Sequence, residues 1–323
     1  MTGGLRPNRR GAGMRVTRLA LLGALISVWA GPVHAAVLRV PADHGSIQEG
    51  VVAAAVGDTV LVAPGEYTEL IMMKGGVVLK SEAGPDSTVL LSPGLGESPK
   101  DERLLEVQED ADRSTVIEGF TLDHAGTMGT AIHVEGGSPT IRGNVFRGFG
   151  WGIHLRHSKA LITDNLLDEI TTFGILIFAS SPEVYRNTIR NCNLRAIDVS
   201  GRKSHPVIGG SSENGNHIHG NNISLMNSSR NDIDATWNDW GWDTALEMER
   251  KGYPADITDI IDGNDRAASH RGRGKVDYRN WVVPDTSGDA ASGGGKGLVI
   301  VGVALAGLAL GAVLSARRRR KAG

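Results

Sequence analysis

Residues 143–201 read GNVFRGFGWGIHLRHSKALITDNLLDEITTFGILIFASSPEVYRNTIRNCNLRAIDVSG, and one short phrase recurs in them three times with different words. Aligned on that phrase, apolar residues fall into columns. Leu122, Phe146, Leu167 and Ile189 form the first, and Ile132, Ile153, Ile175 and Ile197 the second, at spacings of 21, 22 and 22 residues. A third column holds Ile141, Ile162, Val184 and then Val207, beside the corner triplets SPT, KAL, SPE and HPV. Each repeat thus offers three short strand-like runs ended by Gly, Asn, Ser or Pro. Stacked helical hairpins have longer, helix-rich periods and are excluded. A single coil of three strands cannot bury its own apolar face, so the phrase recurs to place Ile over Ile in neighbouring coils about 4.8 Å apart. The expected fold is all-β, a right-handed parallel β-helix with an N-terminal capping helix and a C-terminal plug. Asn144, Asn165 and Asn187 form a further column at a turn, where Asn tolerates left-handed backbone and its amide can pair with the next coil; their role is structural.

Composition agrees. The chain has 323 residues, 40% of them hydrophobic, and 44 glycines without a three-residue period, which suits a folded chain with many turns. Only 5% are aromatic. A formal charge of −2 argues against a nucleic-acid partner. The lone Cys192 allows no internal disulfide and is read as a small filler at a turn.

The two ends set an expected topology. Residues 1–36 read as a secretory signal, with Arg15 and Arg18 ahead of an apolar core from Leu19 to Trp29 and small residues to Ala35 and Ala36. Residues 297–316, GLVIVGVALAGLALGAVLSA, have bilayer length and no charge, and the basic tail 317–323 follows at once, so the tail is expected in the cytoplasm and the rest outside. A Gly/Ser-rich linker, 285–296, precedes the span. Between these ends the divisions are 37–115, cap and first coils; 116–242, repeats; and 243–284, C-terminal cap. The expected location is the cell envelope or cell surface. The tail also resembles the tripartite sorting tails of bacterial surface proteins, which implies a sorting protease as a partner; a plain membrane anchor has the same features.

Ahead of the repeats, residues 46–69 read SIQEGVVAAAVGDTVLVAPGEYTE. Ser46 and Glu49 mark a helix start running to about Ala55, and Thr59–Ala63 the first strand. This stretch resembles the opening of the right-handed β-helix proteins of the pectin-lyase-like superfamily. Residues 205–241 resemble the closing coils of NosD-like members, with Asp239 where a Tyr is usual, and 244–282 resemble the helix and tail that fold over the last coil. Trp240, Trp242 and Trp281 are expected to build that plug. The resemblance spans roughly residues 38–284.

In this superfamily, the resemblance implies, activity is carried by outward side chains on adjacent coils. The residues after the second-column isoleucines are His133, His154, Leu176 and Asp198; two further on stand Glu135, Arg156, Phe178 and Ser200. His133, Glu135, His154 and Phe178 are candidate binding residues, and Arg156, Asp198 and Arg202 candidate catalytic ones. Stacked His133 and His154 with Glu135 offer three ligands for a metal, although outward histidines on strands are more often solvated or paired across strands. Calcium is the cofactor the resemblance to polyuronate lyases implies, yet their ligand and Arg signatures are not found. Asp123 and His124 are read as a turn. The carboxylate groupings of polygalacturonase-type hydrolases are absent too. Phe149, Trp151, Phe173 and Phe178 offer an aromatic strip. The leading reading is an exported, membrane-anchored protein that binds polysaccharide or serves structurally. The alternatives are a lyase or hydrolase of carbohydrate polymers, and NosD-like help in copper-site maturation.

Overall fold

The computed structural model describes residues 35–94, 102–124 and 129–283, with Met1 and Gly3. Of the signal only Met1, Gly3, Ala35 and Ala36 are among the described residues, and the linker 285–296, the span 297–316 and the basic tail lie outside them. Among the described residues, no helix is long and apolar enough to cross a membrane.

The described residues from Val37 to Asp277 wind as a right-handed parallel β-helix. Three parallel sheets run its length, visited in the same order from Thr59 to Asn227, after which the chain passes from Ile233–Asp234 in the first sheet to Ile260–Ile261 in the third. The first has ten strands, from Val37–Val40 to Val276–Asp277; the second has seven, from Gly65–Thr68 to His217–His219; the third has eight, from Ile71–Met73 to Ile260–Ile261. The register stacks like on like. Leu122, Phe146, Leu167 and Ile189 are successive partners in the second sheet, and Ile132, Ile153, Ile175 and Ile197 in the third. All eight have no exposed surface. At roughly 25 cal/mol for each Å² of apolar surface removed from water, such columns supply the main drive for stacking.

The third column departs from expectation at its last member. Val184 pairs with Ile208, and Val207 pairs with Glu183. Side chains alternate faces, so a one-residue shift exchanges inside for outside. Ile208 is wholly buried, and Val207 faces outward.

The asparagine column is longer than three. Asn144, Asn165, Asn187, Asn216 and Asn238 are all buried and bonded in series. Each Nδ2 donates to the Oδ1 of the next, at 3.2, 3.0, 3.0 and 2.9 Å. Each Nδ2 also donates to a carbonyl of the preceding coil, as Asn165 does to Ile141 and Asn187 to Ile162. Each Oδ1 accepts a backbone N–H as well, Asn144 from Phe120 and Asn187 from Asn165. Every polar atom of the buried amides is thereby satisfied, as burial requires.

The N-terminal cap is helix α1, Ile47–Ala53, with Ser46 Oγ accepting from the Glu49 N–H at 3.2 Å. The Glu69 carboxylate accepts from the Ile47 and Gln48 N–H groups, at 2.9 and 2.8 Å. The first strand is Val37–Val40, ahead of the helix, and Thr59–Val62 pairs beside it. At the other end, helix α2, Trp242–Lys251, follows the last full coil. Trp240, Tyr278 and Trp281 form the plug there, whereas Trp242 is 42% exposed and stands outside it.

Candidate functional site

The outer faces of the three sheets differ in chemistry. On the first, Glu118 accepts from Lys80 at 3.2 Å and from Arg142 at 2.7 Å, its register neighbours on either side. On the second, Arg147 meets Asp123 at 2.8 Å and Arg190 meets Asp168 at 2.7 Å, again between partners in register. Both faces are ladders of ion pairs. On the third, the outward row runs Glu106, His133, His154, Leu176, Asp198, and beside it run Trp151 and Phe173 on one flank and Glu135, Arg156 and Phe178 on the other.

The local backbone explains why that row projects. Strands Thr130–Glu135, Trp151–Arg156, Phe173–Phe178 and Arg195–Ser200 each carry a small residue at the second position: Ala131, Gly152, Gly174 and Ala196. A Cβ on Gly174 would stand 2.6 Å from the Ala196 carbonyl oxygen and 3.0 Å from the Ile189 side chain. The small residues let the second sheet's apolar column close against the strand, while the aromatic residue one place earlier turns outward.

His133 and His154 meet as their spacing predicts, with their Nδ1 atoms 3.2 Å apart and their rings 4.8 Å centre to centre. Of the two expectations for outward histidines, solvated or paired across strands, His133 meets the second and is only 1% exposed. Its Nε2 is buried without a hydrogen-bond partner and lies 3.5 Å from Glu135 Oε2. A carboxylate at that distance favours the proton on His133 Nε2. His133 Nδ1 then accepts from His154 Nδ1–H, and the lone pair of His154 falls on Nε2, a tautomer assigned from the hydrogen-bond network. Burial, the neighbouring His133 and the charges of Arg156 and Arg103 push His154 down to about 4. Burial and Arg103 also hold His133 below its usual range, against Glu106 and Glu135. Both rings are neutral at pH 7.

Glu135 meets Arg156 and His157. His157 Nδ1 is 3.2 Å from its Oε1 and Arg156 Nε 3.5 Å from its Oε2. Burial raises the Glu135 carboxyl, but the His157 hydrogen bond and the charge of Arg156 outweigh it and hold the group low. Asp198 is buried and bonded to Arg195. Burial lifts its carboxyl above the usual range in spite of Arg195 and Arg273. Arg202 stands in the exposed turn after that strand, and the partner of Asp198 is Arg195.

The aromatic strip reduces to Trp151 and Phe173, with Phe178 on the opposite flank of the row. Trp151 and Phe173 are 6.4 Å apart at a 33° tilt, and the Trp151 ring meets His154 edge-on at 5.2 Å. The Arg195 guanidinium lies 5.4 Å from the Phe173 ring and Arg156 5.8 Å from Phe178. Phe149 is inside, with no exposed surface, and leaves the strip. Asp123 ends a strand and His124 is buried against Phe149 at 5.1 Å, so the pair is not a simple turn. Cys192 is buried, and burial pushes its thiol up to about 12, consistent with a filler. Among the described residues, no three of His, Cys, Asp and Glu converge as metal ligands. Glu106, Glu135 and Asp198 are each turned to a cation of the chain, an arrangement that does not fit a calcium site.

Residues 107–237 match the family described as right handed beta helix region. No curated protein matches the sequence significantly. Among solved structures, the β-helix is similar to the A-module of the mannuronan C-5 epimerase AlgE4 of Azotobacter vinelandii, at 17% identity and a TM-score of 0.39, over 62% of this chain and 66% of that one. The A-module of mannuronan C-5 epimerase AlgE6 from the same organism gives 15% identity and a TM-score of 0.35, over 60% and 64%. The β-helix therefore spans just under two thirds of those two chains.

Proposed function

We propose that the outer face of the third sheet binds a polysaccharide chain, and that the protein presents it from the cell envelope after export, held by residues 297–316. The observation that carries this reading is the pairing of Trp151 with Phe173 on adjacent coils, 6.4 Å apart, on an outer face where aromatic rings stand among the ion pairs. Aromatic faces offer flat apolar area to the C–H faces of sugar rings, while Arg156, Glu135 and Arg195 beside them supply hydrogen-bonding groups for hydroxyls. Binding grooves commonly join an apolar floor to a few polar groups in this way.

The test is affinity electrophoresis of the detergent-solubilised full chain through gels holding acidic or neutral polysaccharides. Retardation by at least one polymer is expected, with Trp151→Ala and Phe173→Ala weakening it about tenfold. Retardation equal in wild type and both variants would remove the aromatic strip from the explanation. An enzyme acting on such a polymer is the second reading, and the paired imidazoles of His133 and His154 favour it.

A further inference from the structure

We propose that His154 is a general base, held in one tautomer by His133 and Glu135, that activates water against an ester substituent on a bound polysaccharide. The proposal rests on the binding reading above and assigns the chemistry of the same face.

The geometry is a line of three groups. Glu135 Oε2 faces His133 Nε2 at 3.5 Å, and His133 Nδ1 faces His154 Nδ1 at 3.2 Å. His154 Nε2 is left with its lone pair; it makes no hydrogen bond to a described side chain and is not among the buried unpaired atoms. Solvent therefore reaches the one nitrogen of the pair that can take a proton. The Trp151 and His154 rings stand 5.2 Å apart centre to centre, so a sugar stacked on Trp151 brings its substituents close to the imidazole. The buried, unpaired His133 Nε2 is costly as structure alone. It becomes useful when His154 turns cationic: the His154 Nδ1–H then donates to His133, whose Nε2–H points at the Glu135 carboxylate. The cation is stabilised through one intervening ring.

The same residues select the reaction class. Glycoside hydrolysis uses two carboxyl groups around the scissile bond, one of them protonated. Glu135 and Glu106 are tied to Arg156 and Arg103, and Asp198 is bound to Arg195 with Leu176 between its coil and His154. Hydrolysis of an ester needs one base for water and one cation for the carbonyl oxygen, and His154 with Arg156 supply both. Water gives a proton to His154 Nε2 as its oxygen bonds to the ester carbon, and the carbonyl electron pair moves onto oxygen beside Arg156. The intermediate then collapses. The bond to the sugar oxygen breaks, that oxygen takes the proton from His154 Nε2, and the acid leaves as its carboxylate with loss of its own proton to solvent.

The charged and titratable groups around the pair are Arg103 and Glu106 from the preceding coil, and Glu135, Arg156 and His157 from its own two coils. The test is acetate release by the full chain from acetylated xylan, and hydrolysis of p-nitrophenyl acetate, from pH 4 to 9. Release is expected to be flat above about pH 5 and to fall toward pH 4. His154→Gln should lower it at least about 100-fold. Glu135→Gln should lower it less and move the acid limb to lower pH, a shift that a purely structural role does not produce. Arg142→Ala, on the first sheet, serves as the folded control. Equal rates in wild type and His154→Gln, or no hydrolysis of either ester by wild type, would overturn the proposal. Wild-type retention on xylan separates the two failures: retention without release removes the base and keeps the binding face. Loss of retention with His154-dependent cleavage of the small ester removes the face and keeps the base.

Discussion

The outer face of the first sheet and that of the third lie on the same coils, share one register and bury the same kind of isoleucine beneath them, yet they solve exposure differently. On the first sheet, Lys80, Glu118 and Arg142 alternate in sign down the row. On the third, the equivalent row holds two imidazoles and a leucine, flanked by aromatic rings. A face of alternating charge is blunt toward partners and contributes little to folding. The other keeps its groups half-desolvated, which is what chemistry or recognition requires. The fold tolerates either because neither face holds the coils together.

The sharpest way to break this comparison is to remove what the two faces share. Asn187→Ala deletes the acceptor of the Asn165 N–H and orphans the Ile162 carbonyl, both buried. A loss of about 3–5 kcal/mol is expected in urea unfolding, at 1–3 kcal/mol for each orphaned group. A loss under about 1 kcal/mol would mean that the apolar columns alone hold the stack.

Next in size is acid. The folded His154 takes its proton near pH 4, whereas an unfolded histidine takes it near the usual 6.5. As pH falls through 6.5 the unfolded chain gains a proton that the folded one does not. Stability from this group is therefore whole above pH 6.5 and declines until about pH 4, by up to about 3 kcal/mol. His154→Gln should flatten that part of the stability curve, measured by urea midpoints from pH 7 to 4.5. A curve unchanged by the substitution would place the acid sensitivity elsewhere and weaken the contrast between faces.

The smallest effect belongs to the ion-pair ladder. Arg142→Ala breaks the contact with Glu118 between two exposed or half-exposed side chains. The expected loss is below about 1 kcal/mol, shrinking further in 0.5 M salt. A larger, salt-insensitive loss would show that the ladder is structural after all.

What was legible in the sequence follows from which forces are periodic. The columns through Phe146 and Ile153 were readable because stacking repeats the same side chain every coil, and the asparagines because the turn repeats with them. Val207 was misplaced by one because the spacing lengthens there, and a strand of two residues, Val207–Ile208, gives no alternation to fix its phase. The pairing of His133 with His154 was visible as spacing, but the burial of His133 was not, since it depends on neighbours from three coils. The partner of Asp198 was missed for a related reason: Arg195 is on the same strand, three residues before it, where no repeat signal points. Gly152 and Gly174 carried a signal that went unused, small residues at one register position on consecutive coils.

The asparagine series has a direction. Every amide passes its hydrogen bond the same way, from Asn144, whose oxygen is closed by the Phe120 N–H, to Asn238, whose nitrogen is closed by the carbonyls of Ile208 and Ala235. Only the first and last members need special partners, and an interior member asks only for another like itself. The number of coils between the two terminators is therefore a free variable, and a gene could gain or lose a block of about 22 residues there, as a ruler gains or loses a division, without inventing a new core.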